Sequence, residues 1–369
     1  MASPTSKNRL AAFGYFGAIG ALLAWIVYRA MTPEPVALTD AADVDAKAPA
    51  SSDVPAPPAS AIDPRRSAAL TTIVRKPSAV TIDAERVYFT DTESELVAWV
   101  NKSGGEPKAI ATGELVGGGF PRLRALLVDG DELFWTTSKS LIKSDKSHAD
   151  VAGALAVDLV APTAIALDGA RVYWASEIAR GASALWSVPR AGGAVPAKLT
   201  TLTDLVCGAA VDERDLFFAE FASGRLTRMP KTGGDAKLVS TDCSCHFVLG
   251  PDHVFCSTRD PGGRVIRVPK SSSDAGARTI AALAPDSIAR NLAFDGARLF
   301  FITETTRGEP TRYAIDSAPA EGGAVRRHVG DDATPALQDL AVDDRWIFWS
   351  QRPEIGAPNG PAAIMRIAK

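Results

Sequence analysis

Residues 165–176 read IALDGARVYWAS. An apolar run ends at Asp168 and Gly169, and a second run rich in aromatic residues follows. Asp followed by Gly between two apolar runs signals a hairpin, because both residues tolerate the backbone angles of a tight turn. The phrase returns as VTIDAERVYFTD (80–91), LLVDGDELFWTT (126–137), AAVDERDLFFAE (209–220), FVLGPDHVFCST (247–258), LAFDGARLFFIT (292–303) and LAVDDRWIFWSQ (340–351). The turn positions are Asp83, Asp129, Asp168, Asp212, Gly250, Asp295 and Asp343, spaced 38 to 48 residues apart. A strand-built repeat of about 40–50 residues is the pattern of a β-propeller, with one blade per unit.

One unit carries the elements of one blade. The first run is apolar, which predicts an inner strand buried on both faces. The second run carries an aromatic pair that packs between adjacent sheets. A third strand follows as LVAWVNK (96–102), SLIKSDK (140–146), ALWSVPR (184–190), RLTRMPK (225–231), RVIRVPK (264–270), TRYAIDS (311–317) and AIMRIAK (363–369). Gly pairs then mark the hairpin to an outer strand. The last unit stops at AIMRIAK, so its outer strand is missing from the C-terminal side. ALTTIVRKPSAV (69–80) parallels AKLTTLTDLVCGAAV (197–211), which predicts that residues 69–75 supply it. Such closure leaves the ring without an open sheet edge. The expected architecture is an all-β, seven-bladed propeller of four-stranded antiparallel blades over residues 68–369.

YFTD (88–91), FWTT (134–137), YWAS (173–176) and FWSQ (348–351) resemble the Tyr-Trp-Thr-Asp repeats of low-density-lipoprotein-receptor-type propellers. Residues 69–369 all take part. That family has six blades, whereas seven units are counted here. The resemblance implies a rigid extracellular binding disk and names no ligand.

The N-terminal part has a different character. LAAFGYFGAIGALLAWIVY, residues 10–28, contains no charge and is close to the ~20 residues that span a bilayer core. It is longer than a usual signal-peptide apolar region, and no small-x-small cleavage site closes it. It therefore reads as an uncleaved transmembrane signal-anchor helix, with residues 1–9 in the cytoplasm on the strength of Lys7 and Arg9. Residues 29–67 are rich in Pro, Ala and Asp and contain no aromatic residue, the composition of a disordered linker. The expected location is the cell membrane, single-pass, with the propeller facing the periplasm or exterior. The net charge of −3 offers no basic excess for phosphates, so nucleic acid is not an expected partner.

The cysteines are Cys207, Cys243, Cys245 and Cys256. Cys207 and Cys245 both stand five residues before their turn positions, at equivalent points of adjacent units. Equivalent points on neighbouring inner strands converge near the central axis, so Cys207 and Cys245 form the disulfide candidate, with Cys243 as competing partner. Cys256 stands at an aromatic-pair position and reads as a small buried hydrophobe. CSCH (243–246) has one residue between its cysteines where haem attachment needs two, and it lacks zinc spacing. No cofactor and no metal is expected.

Propellers bind ligands at the funnel mouth, on loops after the second strand and between blades. The repeat places Asp91, Glu93, Glu177, Glu220, Arg259, Glu304 and Arg352 on the first set, and Arg122, Arg124, His246 and Arg290 on the second. The ligand-binding candidates are thus Asp91, Glu93, Glu177, Glu220, His246, Arg259, Glu304 and Arg352. The remaining histidines, His148, His253 and His328, read as solvated turn residues. Neither a nucleophile elbow nor a zinc-protease or phosphate-loop motif occurs. No catalytic residue is assigned. The reading is a membrane-tethered binding or scaffold module for a protein or polar ligand at the funnel face. The alternative is a propeller enzyme, a lyase or hydrolase using funnel carboxylates or a metal.

Overall fold

The computed structural model describes residues 66–112, 125–146, 152–259, 262–271, 276–306, 311–330, 335–353 and 361–369. Residues 1–65, with the expected cytoplasmic segment, signal-anchor helix and nearly all of the linker, lie outside them. Among the described residues no helix is long and apolar enough to cross a membrane.

Seven four-stranded antiparallel sheets follow one another along the chain. The inner strands are Pro77–Ile82, Leu126–Asp129, Pro162–Leu167, Val206–Val211, Phe247–Leu249, Ser287–Phe294 and Ala336–Val342, which number the blades one to seven. In each blade the second and third strands form the middle of the sheet. The outer strand pairs with the third through a register shift in all seven blades, and such a bulge sharpens the local twist. The outer strand of blade seven is Ala68–Thr71, antiparallel to Ala363–Ala368 with Ala68 opposite Arg366. The first and last described strands therefore share one sheet, and the closing strand is shorter than the expected 69–75.

The core is divided into seven clusters, one between each pair of adjacent blades. The aromatic pair explains the division. Successive residues of a strand point to opposite faces. Tyr88 faces blade two and Phe89 faces blade seven. Likewise Tyr173 joins the blade three–four cluster and Trp174 the blade two–three cluster. Phe348 and Trp349 divide in the same way. All six rings are essentially inaccessible to water. The inner strands, expected to be buried on both faces, are only half-buried, as in Val206–Val211 and Phe247–Leu249. Each is the end strand of its sheet with one unpaired edge, so the aromatic second strands, paired on both sides, are the fully buried ones.

Polar clasps join the blades on the opposite side from the funnel loops. The turn aspartate of one blade meets the cation that ends the third strand of the next. Asp83 pairs with Lys146 at 3.2 Å, Asp168 with Lys231 at 2.9 Å and Asp212 with Lys270 at 2.9 Å. Asp295 pairs with Lys369 at 2.6 Å, Asp343 with Lys102 at 2.5 Å, and Asp129 with Arg190. At the boundary of blades five and six both partners are replaced, by Gly250 and Ala320. A Cβ on Gly250 would lie 2.7 Å from the Phe255 ring, so that ring occupies the space where a turn side chain would begin. Phe255 instead packs against Phe294 of blade six, with ring centroids 5.0 Å apart and planes tilted by 40°.

Burial alone would raise the Asp168 carboxyl. Lys231, the amides of Ala170 and Arg171 and the Tyr173 hydroxyl together hold it at about 2. Burial acts in the same direction on Asp83, Asp212, Asp295 and Asp343, and their cations and amides still bring each below the ordinary value. A depressed carboxylate contributes stability that is present above its unfolded value, near 3.9, and is lost as pH falls through the folded value. Thermal melts should therefore show stability falling steeply between about pH 4 and pH 2. Asp168→Asn should flatten that slope and cost about 1–2 kcal/mol at neutral pH. An unchanged slope would remove the clasp from the stability of the fold.

The closing strand gives a second expectation. A chain beginning at Pro77 leaves the Ala363–Ala368 edge unpaired, so it should melt lower or aggregate relative to one beginning at Arg66. Equal melting temperatures of the two would show that the strand does not matter.

Candidate functional site

The loops after the second strands and those between blades share one face. Asp91, at the end of its strand, is buried and does not present its carboxylate to solvent. Its two oxygens accept the amides of Arg75 at 2.7 Å, Lys76 at 3.0 Å, and Glu93 and Ser94 at 3.1 Å each. Burial pushes this carboxyl up, but the four amides bring it below the ordinary value. Asp91 thus fixes the entry of the chain into blade one against the turn that follows the second strand. Asp204 does the same for blade four, accepting the amides of Leu205 at 2.7 Å, Ala222 at 3.0 Å and Ser223 at 2.8 Å. Sequence reasoning missed Asp204, which precedes an inner strand rather than ending an aromatic run.

Where blades six, seven and one meet, a cavity of about 680 Å³ opens on this face. Its walls carry Arg75 and Lys76, Glu93, Arg290 and Tyr313, Gln338, and Arg352. Two of the candidates, Glu93 and Arg352, line it directly. Glu304 reaches it through Arg290, with which it pairs at 2.9 Å. A second Arg290 nitrogen donates to the carbonyl of Leu337 at 3.3 Å. Arg290 Nε is buried with no hydrogen-bond partner, whereas Glu304 Oε2, also buried, has the Arg290 guanidinium as its ion-pair partner. His246, partly buried at the start of blade five, is pushed down to about 4 by burial and by the positive charge of Arg290.

Next in sequence to Gln338, Asp339 ties three inner strands together. It accepts the amide of Val80 at 2.9 Å, the Asn291 side-chain amide at 2.9 Å and its neighbour Leu340's amide at 2.9 Å. Burial raises its pKa in spite of these donors.

The other candidates do not join this cavity. Glu220 is turned into blade four, where Thr227 donates to it at 3.3 Å and burial raises its pKa. Arg259 is exposed, donates to the Ala222 carbonyl at 2.8 Å and lies over the Phe221 ring. Glu177 stands on blade three, opposite Ser183. Arg122, Arg124 and His148 lie outside the described residues. His328 is not a solvated turn residue: its Nε2 lies 2.9 Å from the Ser317 hydroxyl, and its ring packs on Phe300. Among the described residues, no group of three or more His, Cys, Asp or Glu side chains converges as a metal-binding set would.

Two disulfides stand at the boundary of blades four and five. Cys207 is bonded to Cys245, with Cα atoms 5.2 Å apart. Gly208 makes this approach feasible, since a Cβ there would lie 2.4 Å from the Cys245 carbonyl oxygen. The second bond joins Cys243 to Cys256, which corrects two expectations: Cys256 is not a free buried hydrophobe, and Cys243 does not compete for Cys245. The physical reason lies in the aromatic pair. Cys256 holds the position that faces the preceding blade, and Cys243 fills the same cluster beside Phe217 and Val254. The disulfide takes the place of a ring.

No protein-family model matches the chain and no curated protein sequence does. Among solved structures, the fold is similar to virginiamycin B lyase from Staphylococcus aureus, with a TM-score of 0.64 at 13% identity over 82% of this chain and 98% of the other. It is also similar to an oligogalacturonate lyase in complex with manganese, with a TM-score of 0.61 at 12% identity over 82% and 92%. The computationally designed Ika8 protein reaches a TM-score of 0.53 at 11% identity over 82% and 98%. A likeness that extends from lyases to a designed ring concerns the fold alone.

Peptide mapping without reductant should recover the 207–245 and 243–256 links. In the chain-entropy view, closing a loop of 38 residues is worth about 4 kcal/mol, and the 13-residue loop about 3. The double replacement Cys243→Ser and Cys256→Ser should accordingly lower stability by about 2–3 kcal/mol in denaturant titrations. Free thiols at all four positions would reject both links.

Proposed function

We propose that this chain is a membrane-tethered, extracytoplasmic propeller that works as a binding module, with its ligand or partner seated on the funnel face between blades six, seven and one. The observation that carries the reading is the cavity there, which falls within the 300–1,000 Å³ usual for ligand sites and has side chains converging from three blades. The Arg290 Nε, buried without an acceptor, adds polar capacity in its wall. Two disulfides suit an oxidising compartment, and the apolar run at 10–28 supports the tether. We read the degenerate Tyr-Trp-Thr-Asp-like phrases as those of a binding disk.

The enzymatic alternative draws on two perturbed groups of the same face, Glu220 raised and His246 lowered. Catalysis by an acid and a base needs them to reach one reacting centre. Glu220 is held by Thr227 within blade four, whereas His246 responds to Arg290 of blade six. Binding is therefore preferred.

The test is a photo-crosslinking amino acid placed at Gln338, in the cavity wall, and at Val195, exposed on the opposite face, in the full chain in its native cells. A discrete adduct from position 338 and none from position 195 is expected. Equal labelling from both positions, or none from either, would overturn the reading.

A further inference from the structure

We infer that the cavity between blades six, seven and one takes a multivalent oxyanion, a small ligand carrying two or more carboxylate or phosphate groups. This rests on the binding reading above and names the chemistry of its ligand.

The first argument is the sign of the charge. Arg75, Lys76, Arg290 and Arg352 face the cavity against one carboxylate, Glu93. The chain as a whole is net negative, at −3. A local excess of cations in an acidic protein is a property of this cleft and not of the surface at large, and a cleft lined by one sign concentrates ligands of the other.

The second argument is availability. Glu93 neutralises little: it meets Arg75 at 3.9 Å, and both side chains are largely exposed, at 57% and 73%. Exposed pairs of this kind are weak. Among the described residues, neither Lys76 nor Arg352 has a carboxylate within ion-pair distance. Arg290 is paired with Glu304, yet its Nε lacks an acceptor. The other acids behind the cleft already have donors of their own: Asp91 accepts four amides, and Asp339 accepts two amides and the Asn291 side chain.

The third argument is rigidity. Asp91 holds the amides of Arg75 and Lys76 on one rim and that of Glu93 on the other. The Thr92 amide donates to the Lys76 carbonyl at 3.0 Å, which ties the same two segments again. The cations therefore stand on backbone fixed before any ligand arrives, which limits the ordering cost of binding. Three of the four are guanidinium groups, whose planar forks match paired oxygens. Gln338 and Tyr313 add neutral polar groups to the wall.

The experiment is calorimetric titration of the full chain in detergent with citrate, inorganic pyrophosphate and, as neutral control, glucose. Citrate or pyrophosphate should bind, glucose should not, and raising the salt from 50 to 300 mM should weaken binding several-fold. Tighter citrate assigns the ligand groups as carboxylates, tighter pyrophosphate as phosphates, and either supports the inference. The double variant Lys76→Ala and Arg352→Ala should bind at least tenfold more weakly, whereas Lys198→Ala on the outer strand of blade three should bind as the parent does. Neither side chain of the double variant lies in the core, and an unchanged melting temperature confirms an intact fold. Failure of both anions to bind, or equal affinity in the double variant, would overturn the inference. If the crosslink at position 338 still forms while both anions fail, the charge argument falls and the binding reading stands. If both experiments fail, the two fall together.

Discussion

In five of the seven blades, one oxygen of the turn aspartate accepts two amides of its own hairpin while the other meets a lysine of the next blade. Asp168 takes the amides of Ala170 and Arg171 on Oδ1 and the ammonium of Lys231 on Oδ2. Asp83, Asp212, Asp295 and Asp343 repeat the arrangement. A single side chain thus sets both a turn and an interface. The hairpin fixes where the aromatic pair falls in its strand, and alternation along the strand then sends one ring to each neighbouring blade. The placement of the seven clusters follows from that registration, as does the position of the funnel loops at the far end of the same strands.

The turn, the aromatic pair and the count of blades were legible because each is local to one unit. The clasp was not, although VNK, SDK, VPR, MPK, VPK and IAK stood in view, because it relates one unit to the next. The half-burial of the inner strands escapes for a similar reason: an apolar run does not reveal that its strand ends a sheet and keeps one edge unpaired. Cys256 was aligned with the aromatic position, but nothing within its own phrase pointed to Cys243 across the blade boundary.

The cavity was the least legible feature. Glu93 and Arg352 were singled out as loop residues, and Arg290 as a residue between blades. Arg75 entered only as the end of the expected closing strand 69–75, and Lys76, just beyond it, had no assigned role. In the sequence Lys76 and Arg352 stand near opposite ends of the ring; the pairing of Ala68–Thr71 with Ala363–Ala368 brings their blades together. Asp91 shows the converse. Its acidity at a strand end suggested ligand contact, and the structure gives it amides to hold, so that it shapes the rim on which the cations stand.

The clasp also bears on how such a ring changes over generations. Five of the seven units carry both an aspartate for the blade ahead and a cation for the blade behind. A duplicate of one of these would therefore arrive with both halves and leave the existing boundaries matched as before; deletion of such a unit would do the same. The rule also runs in reverse. Once one member of a pair is lost, its partner is released from constraint, and at one boundary both clasp positions are without charge, Gly250 on one blade and Ala320 on the next. Blade number in this architecture is free to drift by whole units, whereas substitutions at the clasp are inherited most safely in pairs.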